Sequence, residues 1–142
     1  MKWVIDASFV AGLFLPDEMS DKVAAVARDL VKEEAAAPDF LQLELTNILI
    51  VASRRKRISP SQLKQLSDAF DQLPIVYHGA LTAPQRAEIL RLAAKHGLSA
   101  YDAAYLELAR RERLPLATLD AALATAARAE RAPLLGEPRQ NG

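Results

Sequence analysis

The sequence predicts an α/β fold, a three-layer α/β/α sandwich with a short, mostly parallel central sheet. Short, continuously apolar segments, such as the start of the chain through Ile5, are typical of strands covered on both faces. Amphipathic segments separate them, and this alternation favours parallel pairing through right-handed crossovers. A length of 142 residues, of which 51% are apolar, suits one buried core. We therefore expect a single domain over residues 1–135 and a frayed tail over residues 136–142.

Helix caps and apolar runs predict the individual elements. The expected strands and extended segments are KWVIDA, 37–40, 74–78, 114–118 and an edge strand at 132–136. The expected helices are 21–36, 41–57, 61–73, 82–97, 100–114 and 121–130. Their starts are predicted by N-capping side chains, namely Ser20 or Asp21, Ser59 followed by Pro60, Thr82, and Ser99. Gly97 stands where a helix commonly ends in a left-handed residue.

The charge balance limits the kinds of partner. Lys plus Arg and Asp plus Glu both total 18, so no bulk basic field attracts nucleic acid. Any polyanion must be met by a local basic patch or by bound cations. The absence of cysteine excludes disulfides and thiolate metal sites and suits a cytoplasmic location. Neither a signal peptide nor a membrane segment is expected, because Asp6 interrupts the apolar start and no other segment approaches roughly 20 apolar residues.

Three acids are expected at the carboxyl edge of the sheet. Open α/β sheets bind ligands in the crevice beyond the carboxyl ends of their strands. Asp6 ends the first predicted strand, and Asp120 comes directly after the strand LPLAT. Asp102 lies in the first turn of its helix and reaches the same side if that helix begins there.

Glu44 is a fourth candidate, although it lies inside a predicted helix. At about 100° per residue it falls on the flank of an apolar stripe. The stripe consists of Leu41, Leu45, Ile48 and Ala52. A carboxylate near a core face needs a partner, because desolvation alone would raise its pKa. Asn47, three residues on, is placed to steady it.

Each acid also has a purely structural alternative. Asp6 could be only a turn residue at a strand end, and Asp120 could be only the N-cap of the next helix. Asp102 could serve helix capping with Ser99, since the two are spaced S-x-x-D. Glu44 could be a partly buried acid paired with an arginine. No acid is specific alone, but the four together indicate a site because they converge on one edge.

The expected cluster consists of carboxylates without cysteine or a well-placed histidine. Such oxygen-only coordination selects a hard cation, Mg²⁺ or Mn²⁺. His78 follows a strand and is interpreted as a surface or loop residue, whereas His96 lies in the last turn of a helix, where an imidazole complements the dipole. A metal held by acids in an open crevice favours phosphoryl chemistry, because it neutralises phosphate oxygens. These features predict a phosphodiesterase or nuclease.

Four motifs in a fixed order resemble one family. They are VIDAS, the pair Glu44 and Asn47 spaced E-x-x-N, LSAYDAAYLELA around Asp102, and PLATLD ending at Asp120. Together they resemble the PIN domain, and in particular the VapC toxins of bacterial toxin–antitoxin pairs, over nearly the whole chain. The resemblance implies a small PIN-like α/β/α fold and a Mg²⁺- or Mn²⁺-dependent endoribonuclease.

The resemblance also implies roles for individual residues. The acidic metal ligands and catalytic residues would be Asp6, Glu44, Asp102 and Asp120, supported by Ser8, Asn47 and Thr118. In this hypothesis Asp6 and Asp102 are the principal ligands. Glu44 orients or deprotonates the attacking water, and Asp120 holds a second or outer position. Some PIN nucleases carry a further acid after the last one, but residues 121–124 are Ala, Ala, Leu and Ala here, so one or two ions are both considered.

Two surfaces bear on partners. A basic run closes the Glu44 helix and consists of Arg54, Arg55, Lys56 and Arg57. It is either a solvated helix end or a contact for RNA or an antitoxin. Leu43, Ile50 and Val51 lie off the core stripe and, with the resemblance, predict a homodimer interface unless flanking helices cover them. The resemblance implies RNA as substrate and a separate VapB-like antitoxin, laid in a groove with a basic side chain among the acids.

Two rival functions are weaker. A receiver-type signalling domain also gathers acids and Mg²⁺ at strand ends, but it needs paired early acids and a late lysine. Here Ala7 follows Asp6, and LPLAT leads to Asp120 instead of a lysine. The other rival is a non-catalytic binding module with the PIN fold, and the presence of all four acids argues against it.

Overall fold

The structure is a computed structural model that describes residues 3–15, 17–30 and 32–135. The expected frayed tail at 136–142 lies outside the described residues. The strands are β1 (Trp3–Ile5), β2 (Ala35–Pro38), β3 (Ile75–His78) and β4 (Leu116–Ala117). They pair in parallel throughout, in the order β3-β2-β1-β4. The mostly parallel sheet of the prediction is therefore parallel in every pair described.

Helices cover both faces of this sheet. The described helices are α1 (Ala7–Phe14), α2 (Asp21–Leu30), α3 (Leu41–Arg54), α4 (Pro60–Asp71), α5 (Ala83–His96), α6 (Ala100–Glu112) and α7 (Ala121–Ala129). In the first group, α1 packs against α2 and α3, and α3 also packs against α4. In the second group, α6 packs against α5, α7 and the strands. Successive residues of β1 and β2 are all buried, so neither face of the central strands is open. The predicted α/β sandwich is confirmed.

Local capping explains several helix boundaries. Ser59 and Thr82 each form a capping box with the glutamine three residues on, and a proline follows within the first two helical positions. Ser99 accepts a hydrogen bond from the Asp102 amide, and Gly97 ends α5 in the left-handed region, with φ of 64°. These predicted starts and this stop are confirmed.

Three predicted boundaries are wrong, and one helix was missed. Helix α2 ends at Leu30 instead of residue 36, because Ala35 and Ala36 enter the sheet between β1 and β3. Helix α3 ends at Arg54 instead of residue 57. The predicted edge strand at 132–136 is reduced, within the described residues, to one bridge from Leu134 to Leu116. The missed helix is α1, which follows β1 without a loop.

Helix α3 carries its apolar stripe nearly as predicted. Leu49 replaces Ile48 in the stripe, and Ile48 is half-buried. Leu43 points away from the core and is 74% exposed. Among the described helices, none combines the length and apolar character needed to cross a membrane.

Candidate active site

The candidate site lies where the order of the strands reverses. Strand β1 has β2 on one side and β4 on the other, and such a switch point opens a crevice at the carboxyl edge of a parallel sheet. Asp6 directly follows β1, and Asp120 lies three residues beyond β4. The topology therefore brings both acids to the mouth of the same crevice.

Asp6 is held by three hydrogen-bond donors. Its Oδ1 accepts from Ser8 Oγ at 2.8 Å and from the Phe9 amide at 2.9 Å, and its Oδ2 accepts from Thr118 Oγ1. The residue is 3% exposed. Asp6 is thus the N-cap of α1 as well as the end of β1, and its carboxylate has one fixed orientation.

A small polar network joins the ends of β1 and β4. Ser8 Oγ accepts from the Leu119 amide at 2.9 Å, and Thr118 Oγ1 accepts from the Asp120 amide at 3.0 Å. Gly12 allows α1 to approach this loop, since a Cβ there would lie 2.7 Å from Leu119 Cδ1. Ser8 and Thr118, the supporting positions expected from the resemblance, both lie against Asp6.

Asp102 and Asp120 lie at helix starts, as their structural alternatives require. Asp120 Oδ1 accepts from the Leu123 amide at 2.7 Å and caps α7, whereas Ser99, not Asp102, caps α6. Both acids are half-buried.

Asp102 raises the pKa of Asp6 and of Glu44 by charge repulsion, and Asp120 does the same to Asp102. Asp102 is therefore the acid that couples the other three.

Glu44 is steadied by Tyr105, a residue that the sequence reasoning missed. The Tyr105 hydroxyl donates to Glu44 Oε1 at 2.6 Å, and the edge of the Phe40 ring meets Tyr105 at 5.4 Å between centroids. Asn47, predicted for this role, is exposed, and its side chain makes no hydrogen bond with another described residue. Tyr105 lies one turn after Asp102 on α6, a spacing that could have suggested a shared face.

The pKa values of these acids are raised rather than lowered. Burial raises the pKa of Asp6 to about 6, against the pull of its three donors, and Asp102 adds to it. Burial also raises the pKa of Glu44 and of Asp102. None of the four acids forms a salt bridge with a described Lys, Arg or His side chain. Within the described residues, the four acids therefore lie at the carboxyl edge of the sheet without a paired basic side chain.

This donor set fits a hard divalent cation in its chemistry. The candidate ligands are carboxylate oxygens, which Mg²⁺ and Mn²⁺ prefer, and a cation would relieve their mutual repulsion. Their positions are not those of a finished coordination sphere, because within the described ranges no three acidic or histidine side chains group closely enough to hold a metal. Asp6 is fixed by its hydrogen bonds, so the half-buried acids would have to close around it.

The remaining predicted residues have mixed outcomes. Arg57 forms ion pairs with Asp17 at 2.7 Å and Glu18 at 3.1 Å, whereas the rest of the basic run, residues 54–56, is exposed.

The interpretation of His78 as a surface or loop residue is wrong. It ends β3, is half-buried, and its buried Nε2 has no hydrogen-bond partner among the described residues. His96 lies in the last turn of α5, with Nε2 3.7 Å from a Glu130 oxygen.

Comparison with known proteins identifies the family. The PIN-domain profile matches residues 3–129. The chain belongs to the PIN-domain family. Ribonuclease VapC3 of Pyrobaculum aerophilum is 32% identical to it over 123 residues, which cover 84% of this chain and 89% of VapC3. The prediction of a VapC-type PIN-domain ribonuclease is thereby confirmed at the level of the family, and the receiver-type alternative is set aside.

Solved structures agree with the PIN fold. FitAcB from Neisseria gonorrhoeae has a TM-score of 0.66 at 18% identity, covering 94% of this chain and 96% of that one. VapC20 of Mycobacterium tuberculosis, a sarcin–ricin loop cleaving toxin, has a TM-score of 0.60 at 14% identity, covering 88% and 95%. At these identities the likeness shows the fold alone. PIN-domain ribonucleases generally depend on divalent metal ions.

Proposed function

We propose that this PIN-domain protein is a Mg²⁺- or Mn²⁺-dependent endoribonuclease that acts as the toxin of a toxin–antitoxin pair. The observation that carries the proposal is the buried Asp6, fixed at the switch point among acids that repel one another and have no salt-bridge partner among the described basic residues. Burying a carboxylate in this way is costly unless a cation joins it. A polyanionic substrate also needs that cation, because the acidic crevice would otherwise repel phosphate.

Each acid then has a distinct task in hydrolysis of a phosphodiester bond. Asp6 and Asp102 would be the principal ligands of one or two ions, and Asp120, whose Oδ1 caps α7, would offer its other oxygen from an outer position. When bound, the ion supplies charge neutralisation at the phosphate oxygens during in-line displacement. Glu44 keeps Oε2 free of Tyr105, and its raised pKa makes it a stronger base toward the attacking water.

Partners follow from the same proposal. A VapB-like antitoxin would place a basic side chain among the acids and so supply the missing counter-charge. The exposed residues 54–56 are a candidate contact for the RNA backbone or for the antitoxin. Leu43, exposed on α3 beside the half-buried Ile50 and Val51, supports a homodimer interface on that helix. Cytoplasmic RNA would be the substrate.

The test compares Asp6→Asn with Asp68→Asn, a matched control on the surface of α4, where Asp68 pairs with Lys64. We expect wild type and Asp68→Asn to cleave RNA with Mg²⁺ or Mn²⁺, to stop in EDTA, and to arrest growth when expressed. Asp6→Asn should lower the cleavage rate by roughly 100-fold or more, because a ligand of the cation is lost. Mapping of RNA 5′ ends after brief expression identifies the cleaved bonds.

Identical 5′-end profiles for wild type and Asp6→Asn would contradict the nuclease proposal. Full cleavage in EDTA would contradict the metal requirement alone. Binding of RNA without cleavage by the wild type, in every divalent metal tested, would favour the non-catalytic PIN-fold module.

A further inference from the structure

A second feature of the carboxyl edge is a cavity of about 400 Å³, whose lining does not include the four acids. It lies beyond the ends of β2 and β3 and is closed on one side by the middle of α6. Its walls include Pro38, Phe40, Ala80, Leu81 and Ala104. The volume falls within the roughly 300–1,000 Å³ typical of small-molecule sites. Mostly apolar walls of this size suit a flat, organic group better than a bare phosphate.

The cavity also contains polar groups without partners. The Asp39 carboxylate and the Arg86 guanidinium both line it, and neither side chain bonds to another described residue. The His78 side chain lines the cavity as well, but its Nε2, which has no hydrogen-bond partner among the described residues, is buried below the cavity surface. Asp39 and Arg86 are exposed, so these two side chains can bond a ligand directly without breaking another contact of a described residue.

Other charges around the cavity are already neutralised. Glu107, 4% exposed, accepts from Arg111 through both oxygens, at 2.9 and 3.2 Å. This pair forms a rigid wall and leaves little charge to attract a free anion. The groups that face a ligand are therefore one acceptor, Asp39, one donor, Arg86, and the His78 ring.

The cavity adjoins the proposed catalytic acids through aromatic contacts. Phe40 lines the cavity, and its ring meets Tyr105, whose hydroxyl donates to Glu44. A group bound there would lie two side chains from Glu44. That arrangement matches a nucleotide next to the scissile bond, because proteins read single-stranded RNA by taking unstacked bases into pockets with aromatic walls.

We propose that this cavity binds one unpaired nucleobase of the RNA substrate, with guanine preferred. Guanine offers two adjacent donors, N1–H and the N2 amino group, to the Asp39 carboxylate, and it offers the acceptors O6 and N7 to Arg86. The proposal rests on the proposed ribonuclease function for its biological role. The binding of a base can nevertheless be measured without any cleavage.

The experiment records amide NMR spectra of the full chain during titration with each of the four ribonucleoside 5′-monophosphates and with ribose 5-phosphate. We expect GMP to shift the amides of Gly79, Ala80 and Leu81 most strongly and ribose 5-phosphate to leave them unchanged. Arg86→Ala should weaken GMP binding by roughly 5- to 150-fold, the range for loss of a bidentate contact to a base. Asp39→Asn should reduce the preference for GMP. Arg28→Ala, an exposed arginine on α2 outside the cavity, is the matched control and should change neither.

A parallel assay cleaves RNA oligonucleotides that differ in a single base near the cut. Arg86→Ala should remove the base preference and raise KM while leaving kcat close to that of the wild type. If the wild type cleaves RNA but no nucleotide shifts these amides, the cavity proposal fails and the nuclease proposal stands. If GMP binds but RNA is not cleaved, the nuclease proposal fails alone.

Three results would overturn the inference. Equal shifts by ribose 5-phosphate would identify a phosphate site. Shifts by N-acetyltryptophanamide or N-acetylargininamide, with none by nucleotides, would identify a pocket for a protein side chain, as from an antitoxin. A preference for another base over guanine would overturn the choice of guanine.

Discussion

Acidic side chains occur in two contrasting regions of the molecule. On the outer surface of α5, α6 and α7, Glu88 and Glu130 are surrounded by cations at 2.7 to 3.1 Å. The cations are Arg91, Lys95 and Arg110. Hydrogen bonds from Arg91 lower the pKa of Glu88 and lower the pKa of Glu130 to about 2. At the carboxyl edge, burial raises the pKa of Asp6, Glu44 and Asp102 instead.

The difference separates acids that serve the fold from acids that oppose it. The surface network stabilises its carboxylates with side chains of the same chain, so its charges are complete. The edge acids, Asp6, Glu44 and Asp102, destabilise the folded state whenever they are ionised without a bound cation. Groups retained at such a cost are typical of functional sites, where stability is given up for activity.

The largest expected effect is a stability gain from Asp6→Asn. Because burial raises the folded pKa of Asp6 from 3.8 to about 6, the folded state holds that proton more tightly than the unfolded state. The contribution of Asp6 to stability should therefore fall as the pH rises from about 4 to about 6 and stay level above it, and this contribution is the difference between wild type and Asp6→Asn. Without metal, Asp6→Asn should exceed the wild type in unfolding free energy by on the order of 2–3 kcal/mol at pH 8, and by close to zero at pH 4. Urea denaturation in EDTA at pH 4, 6 and 8 measures this.

Asp68→Asn is the control for that series. Asp68 is an exposed partner of Lys64, so its loss should lower stability slightly at neutral pH. If the wild type is more stable than Asp6→Asn at pH 8, ionised Asp6 does not destabilise the folded state, and the proposed difference between the two regions is wrong.

A second, smaller effect is metal-dependent stabilisation of the edge acids. MgCl₂ at several times its Kd should raise the unfolding free energy of the wild type by about 1 kcal/mol. Asp102→Asn should lose most of this gain, because Asp102 is the acid coupled to all the others. NaCl of equal ionic strength separates binding from screening. An equal response to both salts in the wild type would count against a specific cation site.

The smallest effect is expected on the surface network. Glu130→Gln should lower the unfolding free energy by roughly 0.5–1 kcal/mol at pH 7, and by less in 1 M NaCl, because the Arg91 and Lys95 side chains that pair with it are exposed even though its own side chain is only 6% exposed. Since the folded pKa of Glu130 is depressed to about 2, its contribution is present above about pH 4.5 and is lost as the pH falls toward 2. Thermal unfolding at two salt concentrations checks the prediction. A stability gain from Glu130→Gln would contradict the prediction, because it would show that Glu130, like the edge acids, destabilises the folded state.

Much of the fold could be predicted because its signals are local. Helix starts are marked by the capping side chains of Ser59, Thr82 and Ser99, and one helix end is marked by Gly97. The structure has these helix boundaries where the sequence predicts them. Helix α1 was missed because its residues are nearly all apolar and continue the run of β1, so no amphipathic period marks it. Helix α2 was overextended because alanine favours helices, yet the parallel sheet draws Ala35 and Ala36 into β2.

The site could be predicted only in part, for a similar reason. Asp6 and Asp120 follow from strand order, and Ser8 and Thr118 from the family motifs. The partner of Glu44 was sought three residues away, at Asn47, whereas Tyr105 comes from 61 residues along the chain. The cavity at Phe40 and Arg86 is likewise built from segments distant in sequence, and no spacing in the sequence indicates it.

The hydrogen bond from Thr118 to Asp6 has a consequence for how the protein is made. Among the described strands, β1 leaves the ribosome before the others, and β4, which precedes Thr118, leaves it last. Until that strand is synthesised, β1 lacks one of its two neighbours, and Asp6 lacks the donor that holds its Oδ2. A nascent chain therefore cannot complete the hydrogen bonds of the Asp6 carboxylate until Thr118, 112 residues further along the chain, has been synthesised.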